Sequence, residues 1–149
     1  MHRATEVTAE LQRRLNAIPA FTGRVFVGRA AGRALADVQP PMVAVAATGE
    51  VLDFSQSTRA TVKRNYQIEC HLADTDTALD ADLDTAAFAV RTVLADSSAV
   101  RWGGLISALT YGAVEFQYPA DGSRTAIAVL PITVTYPETY TPPAAALEH

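Results

Sequence analysis

Between Thr61 and Ala73 the side chains alternate with period two. Val62, Tyr66, Ile68, Cys70 and Leu72 share one face, and Thr61, Lys63, Asn65, Gln67, Glu69 and His71 share the other. Only Arg64 departs from the pattern. Successive side chains of a strand point to opposite faces. The stretch therefore reads as a strand with one buried side and one side left to solvent or to a partner. Such a strand needs paired neighbours and a layer over its apolar face, and the rest of the chain is read for what supplies them.

The last third, Leu105 to Tyr140, supplies a hairpin. Val114, Phe116 and Tyr118 alternate with polar or small residues before Pro119-Ala120-Asp121-Gly122, and Ile132, Val134 and Tyr136 alternate after it. The Asp-Gly step suits the positive φ of a tight reversal. Both arms are expected to carry a core face. Near the start, Arg24 to Gly28 is a short strand. Met42 to Ala47 is apolar on both faces, as for an interior strand covered on two sides. Two amphipathic helices provide the covering layer. In the first, about Ala4 to Ala17, Val7, Leu11, Leu15 and Ile18 make one face, and Pro19 ends it. In the second, within Asp74 to Asp96, Leu79, Leu83, Ala86, Ala87, Val90, Val93 and Leu94 make a broad stripe. Leu83, Val90 and Leu94 are expected to pack on Tyr66, Ile68 and Leu72. Arg29 to Pro41 is read as a loop or a short, poorly anchored turn of helix and Thr48 to Ala60 as a long polar connection, both mobile in a free subunit and ordered on assembly. The fold class is α+β: a mixed, mainly antiparallel sheet with two helices packed on one face. Residues 1–140 form a single domain, and 141–149 are set aside as a disordered tail ending in what looks like a tag remnant, Leu147-Glu148-His149.

With 149 residues, of which 49% are hydrophobic, the chain can bury a core and is not of the disordered class. A net charge of −4 argues against nucleic acid as the main partner. No apolar run approaches the ~20 residues that span a bilayer. The single cysteine, Cys70, allows no internal disulfide and sits in phase with the core face of its strand. With no hydrophobic signal region at the start, synthesis in a reducing cytoplasm is expected.

Three groups of residues invite a chemical reading. Asp74, Asp76, Asp80, Asp82 and Asp84 loosely resemble a calcium loop, but the sixth and twelfth positions hold Leu79 and Thr85 rather than Gly and Glu. They read better as acids at a helix start, where they complement the dipole. His71 and Glu69 share a strand face, yet no further partner converges on them, and His71 is expected at the surface. Gly103-Gly104 after Trp102 fits no phosphate-binding pattern and is read as a turn. No G-x-S-x-G elbow is present. The chain is therefore expected to be no enzyme and to hold no cofactor and no metal.

One feature of the second helix stands out. On the helical wheel Phe88 lies opposite the core stripe, flanked by the small Ala81 and Ala95. It invites contact with another surface. With Arg91 beside it, Phe88 forms one candidate subunit patch, and the strand face of Lys63, Gln67 and Glu69 forms another. Arg29, Arg33 and Arg59, in the two connecting segments, could pair with acids on a neighbour.

Taken in order, these residues resemble a family. A short N-terminal helix leads to Gly23-Arg24-Val25-Phe26-Val27-Gly28-Arg29, then Pro41-Met42-Val43-Ala44-Val45. Arg64-Asn65-Tyr66-Gln67-Ile68-Glu69-Cys70 and an Asp-rich helix start follow, and the end holds Leu109-Thr110-Tyr111-Gly112-Ala113-Val114-Glu115-Phe116 and Val129 to Tyr136. From about residue 4 to 140 this resembles the tail terminator proteins of long-tailed bacteriophages, of the minor tail protein U type. The resemblance rests on element order and short apolar signatures. It implies a structural virion protein of the tail, assembled in the host cytoplasm, that forms a homo-oligomeric ring, typically of six subunits. Such a ring sits on the tail tube protein, ends polymerisation and presents a surface to the head-tail connector protein. It implies no catalytic residue, and no interface residue is fixed by it. Another neck, connector or tail-tube component, or a small α+β enzyme using His71 and Glu69, are the competing readings.

Overall fold

The computed structural model describes residues 2–73, 79–96, 101–119 and 125–141. Helix α1 (Arg3–Asn16) leads to strand β1 (Val25–Val27), helix α2 (Arg29–Asp37) and the long strands β2 (Met42–Gln56) and β3 (Arg59–Ala73). Helix α3 (Leu79–Leu94) follows, then the short strands β4 (Ala108–Tyr111) and β5 (Glu115–Gln117), and finally β6 (Thr125–Thr139). The strands form one six-stranded sheet in the order β1-β2-β3-β6-β4, with β5 also on β6. Among the described residues only the β1–β2 pair is parallel. The class is thus α+β with a mixed, mainly antiparallel sheet.

The core lies between this sheet and the layer of α1 and α3. Val7, Leu11 and Leu15 of α1 are buried, as are Leu83, Ala86, Ala87, Val90 and Leu94 of α3. Beneath them lie Tyr66, Ile68 and Cys70 of β3 and the inward row Ala126, Ala128, Leu130, Ile132, Val134 and Tyr136 of β6. Leu72 packs at the margin. Polar groups at the rim are satisfied: the Tyr66 hydroxyl meets Thr8 Oγ1 at 2.7 Å and accepts from Arg64 Nε at 3.0 Å. Arg64 also bridges to Glu50, directly across from it on β2, at 2.9 Å. Paired in this way, Arg64 interrupts an apolar row whose members on either side, Val62 and Tyr66, are buried.

The structure corrects several sequence expectations. Arg29–Asp37, expected as a loop or a short, poorly anchored turn of helix, is a nine-residue helix packed on the sheet. Its Ala, Leu and Arg residues favour helix, but its buried face is only Ala31 and Ala34, too small to make an apolar stripe. These pack with Met42, Ala44, Phe26 and Val38 on the face opposite α1 and α3. A third helix therefore lies across the sheet from the two expected ones. Thr48 to Ala60, expected as a connection, is the end of β2, a two-residue turn at Ser57-Thr58 and the start of β3. Beyond Val45 the strand is exposed on both sides, so its ladder with β3 holds it and no burial pattern announces it.

In the late hairpin, β6 has the expected core face but its partner does not. Phe116 and Tyr118 are exposed, Tyr118 by 56%. The first arm is split into β4 and β5 opposite Pro131. The Gly112 N–H bonds the Pro131 carbonyl at 2.9 Å, whereas Pro131 has no N–H to return. His71 is also misplaced by the sequence pattern: it is buried, not at the surface. Asp74 and Asp76, the Asp121-Gly122 turn and the tail from 142 lie outside the described residues.

Candidate functional site

On the α2 side of β3, three polar side chains form a chain. Gln67 Nε2 donates to Glu69 Oε2 at 2.7 Å, and His71 Nε2 contacts Glu69 Oε1 at 3.0 Å. A cavity of about 290 Å3 lies beside them, lined by Gly28, Ala31, Gly32, Leu35, Ala44, Gln67 and Glu69. Carboxylate and imidazole are thus together, but the Glu69 oxygens are spent on their neighbours along the strand. Among the described residues no three His, Cys, Asp or Glu side chains cluster as metal ligands. The arrangement fastens a buried histidine to its strand neighbour on the α2 side of the sheet.

The exposed side of α3 is organised differently. Asp80, Asp84, Phe88 and Arg91 fall at helical spacing on one stripe. Its ends reach the outer strands: the Tyr118 hydroxyl donates to Asp80 Oδ1 at 2.6 Å, which together with Asp84 holds the Tyr118 phenol above its usual pKa. Burial raises the Tyr111 phenol, and the charge of Arg91 opposes that shift. The stripe therefore runs along the β5–β4 edge. Phe88, 70% exposed, stands within it, and Tyr111, Phe116 and Tyr118 are exposed on the same side of the sheet.

A second exposed apolar region, missed from sequence, is the far half of the β2–β3 hairpin. Val51 is 63% and Phe54 53% exposed, with Leu52 and Tyr140 also in contact with solvent. The Phe54 and Tyr140 rings lie 5.8 Å apart. Tyr140 also lines a cleft of about 570 Å3 together with His2, Glu50, Val62, Tyr136 and Glu138. The residues were hidden because Val51, Leu52, Asp53 and Phe54 show no clean alternation and sit among polar neighbours.

The candidate interface residues thus separate into distinct places. Phe88 and Arg91 share the α3 stripe. Gln67 and Glu69 are half-buried beside α2, while Lys63 lies on the same strand face beyond its cover. Arg29 and Arg33 are exposed on α2, and Arg59 is exposed at the hairpin turn. The two expected patches do not merge into one site.

No protein-family model matches the chain, and no curated protein matches it. Among solved structures, the fold is similar to that of a chain in the virion of a native gene transfer agent (GTA) particle. The TM-score is 0.53 at 18% identity, over 85% of this chain and 91% of that one. At that identity the likeness is one of fold.

Proposed function

We propose that this chain is a structural protein of a phage-like particle, and within it a tail terminator. In this reading copies of the chain close into a ring, typically of six, on the end of the tail tube. The ring stops tube polymerisation and offers the surface to which the head connector binds. The observation that carries the reading is the fold shared with a virion chain over most of both lengths. The order of the sequence signatures from the N-terminal helix to β6 supports the terminator role. Chemistry supports it too: the exposed features are aromatic and charged surfaces, while the carboxylate–imidazole pair of Glu69 and His71 is tied up within β3. Phe88, Arg91, Lys63, Gln67, Glu69, Arg29, Arg33 and Arg59 are the proposed subunit contacts, and α2 and the distal β2–β3 hairpin are proposed to stiffen on assembly.

The fold likeness also suits another neck or tube component of such a particle. The two roles part on behaviour with tail tubes. A terminator caps tubes of fixed length, and a tube subunit adds to them. The test is particle mass in solution with negative-stain images, alone and with polymerising tube protein. A ring with a central hole that halts tube growth is expected. A protein that stays monomeric with and without tubes would exclude the proposal.

A further inference from the structure

The far half of β2 leaves its outer edge open. β1 pairs only with Val43 to Val45, and no described strand pairs with the outer side of residues 46–56. The direction of its backbone groups follows from the ladder. Val45 O accepts from Gly28 and the Val43 N–H bonds Arg24, so these residues point away from β3. Their partners on β3 are Ile68 and Cys70; carried along β3, the same phase reaches Arg64, Val62 and Ala60, which face Glu50, Leu52 and Phe54. In antiparallel pairs alternate residues turn both N–H and C=O outward. Glu50, Leu52 and Phe54 therefore present free donors and acceptors.

Open edges are normally blunted by proline, lysine or strong bulges. The outer edge of β6 follows that rule with Pro131 and Pro137. Residues 46–56 contain no proline and no basic residue, and the irregularities fall at Ala47/Gly49 and Phe54/Gln56, leaving Glu50 to Phe54 regular. Among the described residues the opposite border of the sheet is also open at β4. Gly112 N–H bonds Pro131 O and Ser107 N–H bonds Thr135 O, so odd residues of β6 face β4 and the outward groups of β4 belong to Leu109 and Tyr111.

We infer that the β2 edge from Glu50 to Phe54 takes a strand from a second copy of this chain, namely the Leu109–Tyr111 edge of its β4. Two features select that occupant. Strand polarity comes first: β2 and β6 run the same way and β4 runs opposite to them. Rotation about an axis along the strands keeps these directions, so β4 of one copy meets β2 of the next in antiparallel pairing. The side-chain faces also agree, since Leu52 and Phe54 project to the same side of the sheet as Leu109 and Tyr111. Because the two edges differ, the contact is head-to-tail and closes a ring or propagates. The inference rests on the ring reading and supplies its contact.

Amide hydrogen exchange on the full chain, compared between monomer at low concentration and assembled particle, tests it. The N–H groups of Leu52, Phe54, Leu109 and Tyr111 should slow together on assembly by on the order of tenfold or more. Leu52→Pro removes an outward N–H and spares the ladder to β3, and should weaken assembly roughly tenfold or more. Leu52→Lys, which places a charge on the edge without touching the backbone, should do the same. Rings whose four amides exchange as fast as in the monomer would overturn the edge contact and leave the ring reading standing. Slowing at Leu52 and Phe54 alone, in a dimer, would mean that β2 pairs with β2 and would overturn the choice of β4. Absence of any assembly would remove both the ring and this contact.

Discussion

Single residues show how closely the sheet is fitted. A methyl group added at Gly112 would lie 2.8 Å from Pro131 Cγ and 3.3 Å from its Cβ. A proline ring cannot swing aside as a flexible side chain does, so β4 or β6 must move. Gly112→Ala is expected to cost about 1–3 kcal/mol, the usual range for overpacking. An unchanged denaturant midpoint would show room between the strands. Burial also sets a pH limit. It pushes the Cys70 thiol from 9.0 up to about 12 and is the leading cause that raises the Tyr136 phenol from 10.0 to about 12. Both groups are neutral in the fold and ionise more readily once unfolded. Their contribution is full below the unfolded values and is lost as pH rises through about 9 and 10 toward about 12. Urea unfolding should show stability falling between about pH 8 and about pH 11, and less so in a Cys70→Ala, Tyr136→Phe variant. A flat profile would mean that neither group is held neutral by the fold. Cys70 was legible from its phase in the strand. His71 was not, because α2, whose small face gave no signal, is the element on its side of the sheet.

At the scale of elements, what the sequence disclosed followed burial. α1, α3, β3 and β6 each bury large apolar side chains on one face, and their periodicity places them correctly. α2 buries only alanines and the distal half of β2 buries nothing, so the first reads as a loop or a short turn of helix and the second as a connection. The same reasoning separates the two faces of α3. Leu83, 1% exposed, should cost ~2–5 kcal/mol when cut to Ala, read as a shift in unfolding midpoint. A loss under about half a kcal/mol, the range of surface changes, would contradict its packing. Phe88 on the other face should behave oppositely. Phe88→Asp is expected to leave the unfolding midpoint of the monomer within that surface range and to weaken ring formation or tail completion. Normal rings would take Phe88 out of the interface, and a monomer that fails to fold would place it in the core despite its exposure.

For the whole molecule, the sequence carries the proposed function only as far as an expectation of assembly. The sequence offered no constellation for catalysis, and its exposed aromatic at Phe88 pointed to contact. The symmetry of that contact needed the structure, because it depends on two open edges at opposite borders of one sheet, and neither edge leaves a pattern of burial in the sequence. A head-to-tail contact has a consequence that a self-complementary one lacks. A chain with a blocked β2 edge still offers β4, and a chain with a blocked β4 edge still offers β2. Leu52→Pro and Tyr111→Pro, each removing one outward N–H, should therefore fail to assemble alone. Mixed in equal amounts they retain a single intact pair of edges, which makes one contact and then stops. Sedimentation of the mixture is expected to show dimers and no rings, with wild-type protein forming rings at the same concentration. If the contact were two-fold through β2, Tyr111→Pro alone would dimerise as well as the wild type, and adding Leu52→Pro would contribute nothing. Monomers throughout the mixture would mean that the two edges do not meet.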